Sequence, residues 1–137
     1  MHVLMVLAIA ILRVFDDAKV ALVSVSWHPS GQKIAASGAN GTIWIWNIDG
    51  TLLKTIKAHT APVWDIKFSL DGQRLASTSN DKTVTLWTAD GTLVKTLEGH
   101  SAAVWQIAFS PDGSLINLLS VWVKHVVNKF VAIYSNR

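Results

Sequence analysis

The sequence contains no cysteine, which excludes a disulfide framework and any zinc site built on thiolates. That composition fits a reducing compartment, and a cytoplasmic location is the expectation. Charge is sparse too. Asp, Glu, Lys and Arg make up 15% of 137 residues, against about 25% in an ordinary soluble domain. The net charge is +3, and the basic residues are scattered from Arg13 to Arg137 without forming a run. Nucleic-acid binding draws on a concentrated basic stripe, so no nucleic-acid partner is expected. Long apolar runs are also lacking. Val3 to Leu12 is nearly unbroken, but a bilayer-spanning helix needs about 20 such residues. A secretory signal would carry a basic leader, and only His2 precedes this run. No membrane partner is expected.

What the chain has is tryptophan: seven, beside one Tyr and four Phe. Half of all residues are apolar, enough for a core. Aromatic and β-branched residues suit the pleated, half-buried surface of a sheet. A repeat then organises them. Asp49-Gly50-Thr51-Leu52 returns as Asp90-Gly91-Thr92-Leu93, and 90 minus 49 is 41. At the same spacing His59 returns as His100, Val63-Trp64 as Val104-Trp105, and Phe68-Ser69 as Phe109-Ser110. Going backwards, Trp27 stands in the place of Phe68, Gly31 in that of Gly72 and Trp46 in that of Trp87.

Each unit reads as short strands separated by turns. Trp64, Ile66 and Phe68 alternate with Asp65 and Lys67, the period of two that places one set of side chains on one face. Trp105, Ile107 and Phe109 repeat the pattern, as do Val23, Val25 and Trp27. Leu70-Asp71-Gly72 and Pro111-Asp112-Gly113 supply turn chemistry. Further strands are expected over Arg74 to Thr78, Thr83 to Trp87 and Leu93 to Leu97, with a break at Asn80-Asp81 and a turn at Asp90-Gly91. Four strands joined by tight turns in 41 residues make one antiparallel sheet. A helical repeat would show a period of 3.6 residues, which is missing. Subtracting 41 aligns Ile11 to Phe15 with Leu52 to Ile56, so the apolar N-terminus is expected to form strands of its own.

The unit His59-Thr60-Ala61-Pro62-Val63-Trp64, Phe68-Ser69-Leu70-Asp71-Gly72, Leu75 to Asp81 and Leu86-Trp87-Thr88 resembles a repeat of the WD-repeat β-propeller family. Neither Trp46 nor Trp87 is followed by the Asp of that signature; Asn47 and Thr88 stand there. The resemblance covers residues 9 to 116 and is similar to bacterial WD-repeat proteins. It implies an all-β, partial propeller of four-stranded antiparallel blades over residues 1–137. Within it, 1–17 would be degenerate strands of a preceding blade, 18–58 and 59–99 two WD-repeats, and 100–137 a degenerate third. It also implies a structural tetrad in the second repeat: His59, Ser77, Asp81 and Trp87. A propeller buries these polar atoms, and buried polar groups need partners. The first repeat has Ala18, Ala36, Asn40 and Trp46 at the same places, and the third has His100, Leu118, Trp122 and Asn128. After Ile116 no blade pattern aligns.

The resemblance further implies a face on which partners dock, with Trp64, Trp105 and Val23 at one equivalent position and Asn80 and Ala39 at another. Trp is enriched in interface hot spots. The same two Trp could equally pack between blades, since they share a strand face with Ile66 and Ile107. No nucleophile–base motif, phosphate-binding glycine loop or metal-ligand cluster is legible, so no enzyme activity, cofactor or metal is expected. His59 with Asp81 has the form of a general base and its orienting carboxylate, but the pair falls on the family's structural positions. The function expected is a non-catalytic protein-interaction scaffold, a fragment or an oligomerising arc of a larger propeller that can self-associate through exposed blade faces. Two alternatives are a small-ligand or glycan-binding propeller using the Trp rings as platforms, and a truncated fragment without function.

Overall fold

The computed structural model describes residues 19–112, 115–122 and 125–132. The strands expected within residues 1–17 lie outside them. The described chain is all β, arranged as three antiparallel sheets in sequence order. The first sheet is β1 (Leu22–Trp27), β2 (Lys33–Gly38), β3 (Thr42–Asn47) and β4 (Leu52–Lys57). The second repeats it 41 residues later as β5 (Val63–Phe68), β6 (Arg74–Ser79), β7 (Val84–Thr88) and β8 (Leu93–Leu97). In both, each strand pairs only with its sequence neighbours, so the four lie side by side in the order of the chain. The third sheet holds β9 (Val104–Phe109), β10 (Leu115–Trp122) and β11 (His125–Ala132). The sequence reading lost the pattern after Ile116. The structure carries β10 on to Trp122 and pairs it with β11 from Leu115↔Ala132 to Trp122↔His125. The Leu, Ile, Val and aromatic residues of these two segments suit a sheet even where no repeat marks them.

The sheets stack face to face, and the alternation of side chains decides what lies between them. Ile43 and Ile45 on β3 point to one face of the first sheet and join Ile66, Phe68, Leu75 and Trp87 of the second in one apolar cluster. Val84 and Leu86 on β7 take the places of Ile43 and Ile45 and, on the face opposite Trp87, meet Val104, Ile107 and Ile116 of the third sheet. The second sheet is thus buried on both faces: Val63, Ile66, Leu75, Ala76 and Val84 are all fully buried. The outermost strands are different. β4 and β8 expose most of their side chains. The innermost strands β1, β5 and β9 lie next to one another.

Candidate functional site

The tetrad positions come together in the second sheet. His59 precedes β5, Ser77 lies in the middle of β6, Asp81 in the β6–β7 turn and Trp87 near the end of β7. Trp87 Nε1–H donates to Ser77 Oγ at 3.1 Å. Ser77 Oγ and His59 Nε2 are 2.8 Å apart, and His59 Nδ1 lies 2.9 Å from Asp81 Oδ2. One assignment satisfies every atom. His59 carries its proton on Nδ1 and donates it to the carboxylate, while Nε2 accepts the Ser77 hydroxyl. That requires a neutral imidazole, and the His59 side chain is fully buried. Burial lowers the His59 pKa, and the nearby Asp81 charge and hydrogen bond only partly oppose it. Burial pulls the Asp81 carboxyl upward, but hydrogen bonds from the Thr83 hydroxyl and amide, with His59 beside them, outweigh it and hold the pKa below its ordinary value.

Thr83 was not legible as a member of this network. Its hydroxyl donates to Asp81 Oδ1 at 2.6 Å, its amide reaches the same oxygen at 2.9 Å, and it lies 3.0 Å from His59 Nδ1. The Thr60 amide adds a bond to Asp81 Oδ2 at 3.3 Å. Asp81 thus ties the segment before β5 to the turn before β7. Chemically, both nitrogens of His59 are engaged and its ring is shut away from solvent, so no lone pair faces a substrate. The arrangement holds strands together.

The first sheet fills the equivalent places differently. Ala36 takes the place of Ser77, and Trp44 that of Thr85. Trp44 stacks on Trp46 with ring centroids 6.4 Å apart and planes 16° apart. Gly38 makes room: a Cβ there would lie 2.7 Å from the Trp44 ring. Asn40 turns to its local backbone, accepting from the Thr42 amide at 3.2 Å. In the third repeat Leu118 and Trp122 lie on β10 and Asn128 on β11.

The second group of residues meets across the sheets. Trp64 on β5 and Trp105 on β9 stack with centroids 4.6 Å apart and planes 27° apart. Trp64 Nε1–H donates to Asn80 Oδ1 at 3.3 Å, which fixes the ring from its edge. Packing between sheets and exposure therefore coexist here, because Trp105 keeps 39% of its surface open. Val23 is open to a similar degree, and Asn80 and Ala39 are exposed on their turns.

Three further side chains link neighbouring sheets, and sequence reasoning passed over all of them. Asp65 accepts from Ser24 Oγ at 3.1 Å and from the Ile107 amide at 3.1 Å, joining all three innermost strands. Ser26 Oγ accepts from the Phe68 amide at 3.0 Å. His28 Nε2 lies 2.9 Å from the Gly72 carbonyl, which can only accept, so the proton sits on Nε2 and Nδ1 accepts from the Ser30 amide at 3.1 Å. Its ring also meets Phe68 edge to face, with centroids 5.1 Å apart. The available signal for His28 was its place directly after β1, where Ser69 and Ser110 follow the equivalent strands. Among the described residues, no three His, Asp or Glu side chains are grouped to hold a metal. No described helix is long and apolar enough to cross a membrane.

Antiparallel sheets repeated at a fixed spacing and stacked in chain order, the second of them carrying a His–Ser–Trp–Asp network, define a β-propeller repeat protein. The family profile described as WD domain, G-beta repeat matches residues 10–47, 50–88 and 91–121, and the chain belongs to that family. An uncharacterized WD repeat-containing protein of Synechocystis is 47% identical over 36 residues, which is 26% of this chain and 3% of that protein. The chain thus matches only a small part of that relative's length.

Proposed function

We propose that this chain is a non-catalytic protein-interaction scaffold, acting in the cytoplasm, whose docking face is centred on Trp64 and Trp105 with Asn80, Val23 and Ala39 around them. WD-repeat domains mediate protein–protein contacts as a class. The observation that carries the reading is the stacked indole pair, held rigid by the Asn80 bond yet left open at Trp105. A rigid aromatic surface loses little entropy on binding, and buried Trp anchors dominate interface energies. His59, Ser77, Asp81 and Trp87 serve as the structural support of that face, since Asp81 and Asn80 occupy the same turn. The glycan reading is weaker, because each ring uses one of its two faces on the other and leaves less platform for a sugar.

The test is a comparison of Trp105→Ala with the unaltered chain by quantitative affinity capture. Proteins retained by the unaltered chain and released by the variant, with equal melting temperatures for both, support the docking face. An identical set of retained proteins would refute it.

A further inference from the structure

The innermost strand of each sheet has a sheet partner on one side only, so amides on its other side need acceptors from elsewhere. Two of these acceptors are side chains of the preceding repeat. Ser26 Oγ takes the Phe68 amide and Asp65 Oδ2 takes the Ile107 amide. Both links span 42 residues: 68 minus 26 and 107 minus 65. One repeat after Asp65 stands Gln106, whose carboxamide oxygen is again an acceptor. The amide it would take lies at 148. Three repeats of 41 make 123, and 148 minus 123 is 25.

Exposure points to the same two residues. Val25 is 40% exposed, whereas its equivalent Ile66, packed against the first sheet, is 0% exposed. Gln106 is exposed, whereas its equivalent Asp65 is half-buried between sheets. β1 and β9 therefore display the two halves of an inner-strand junction that is closed twice within the chain, β1 on β5 and β5 on β9.

We propose that a second copy of this chain docks head to tail, with Val23 and Val25 of its β1 against the open side of β9 and Gln106 accepting the Val25 amide. Two copies bring six described sheets into one ring, inside the about four to eight blades that propellers use. The junction also places a second copy's Val23 beside Trp105 and so extends the aromatic face. It does not depend on what that face binds.

The experiment is light scattering of the full chain, followed by oxidation of mixed variants. The expected mass is twice 14.9 kDa. Val25→Glu and Gln106→Lys should each halve it while keeping the β circular-dichroism signature and a cooperative melt. The chain has no cysteine of its own, so copies carrying Val25→Cys mixed with copies carrying Gln106→Cys should give a disulfide-linked pair that neither variant forms alone. A single-copy mass, a broad distribution of masses, or no cross-link in the mixture overturns the proposal. Trp64→Ala should leave the mass unchanged, which separates failure of this junction from failure of the docking face.

Discussion

His59 makes the stability of the second sheet depend on pH in a definite direction. Its folded pKa lies below the ordinary 6.5, so the unfolded chain binds a proton before the folded one does. The stabilisation is full above that value and is lost as pH falls through the folded pKa. Asp81, also lowered, adds a second loss below its ordinary 3.8. Urea unfolding between pH 7.5 and pH 5 should show a falling midpoint, and His59→Gln should flatten that slope. A slope unchanged by the variant removes the neutral-imidazole assignment. Asp81→Ala strands His59 Nδ1 and should cost on the order of 1–3 kcal/mol, whereas Asp112→Ala in an exposed turn should cost less; equal melting temperatures would contradict this. Thr78 is the reverse case. Its hydroxyl is buried with no hydrogen-bond partner among the described residues, although the equivalent Ser37 donates to the Val63 carbonyl at 3.1 Å. Thr78→Val keeps the shape and should raise stability by about 1 kcal/mol; a lower melting temperature would show that the hydroxyl is satisfied. The residues His59, Ser77, Asp81 and Trp87 were named only through the family resemblance, because the repeat does not carry Ser77 and Asp81 into the other units, where Ala36 and Asn40, or Leu118 and Trp122, stand. Thr83 was not legible, because a threonine two places after an aspartate is also ordinary turn chemistry.

At the scale of single elements, turn and strand pairing were legible where two copies could be compared. The strands β5 to β8 fall within a residue or so of their expected bounds, because alternation and the glycine turns both mark them. β10 beyond Ile116 and β11 were not legible. They mix Leu, Ile and Val with Asn117, Ser120, Asn128 and Lys129, so they hold strand-forming residues but neither a clean alternation nor a second copy to align with. The replacement of a polar site by stacked indoles in the first sheet was equally hidden, since it depends on Gly38 lying under Trp44. Gly41 shows how tightly such turns are built. Its φ is +87°, and a Cβ would lie 2.1 Å from the His59 carbonyl oxygen. Gly41 also accepts the Ala58 and His59 amides at 3.1 and 3.0 Å, tying the first sheet's turn to the segment that carries the tetrad histidine. Gly41→Ala is therefore expected to destabilise by more than the ~1 kcal/mol of a positive-φ substitution alone, and thermal melting checks it. The equivalent Lys82 tolerates φ of +72°.

Across the whole molecule, the stacking order was implied by the repeat, but the links that enforce it were not. Spacing reports which residues are equivalent; it does not report which equivalent residues touch. Asp65 is the clearest example, a polar residue on a strand that reads as the solvent side of an alternation yet joins three sheets. Asp65→Ala should leave the Ile107 amide without its acceptor, and amide hydrogen exchange at Ile107 should quicken well before global unfolding. Unchanged protection there would mean the sheets are held by apolar packing alone.

The side-chain acceptors between innermost strands give the repeats a fixed order despite their likeness. Phe68 relies on a serine at 26, and Ile107 on an aspartate at 65. The corresponding place after Ser26 is filled by Lys67, which cannot accept, and then by Ala108. A permuted gene that put the second repeat behind the third would therefore face Phe68 with an alanine methyl, so units that look interchangeable on paper are directional parts, each made to follow one particular predecessor.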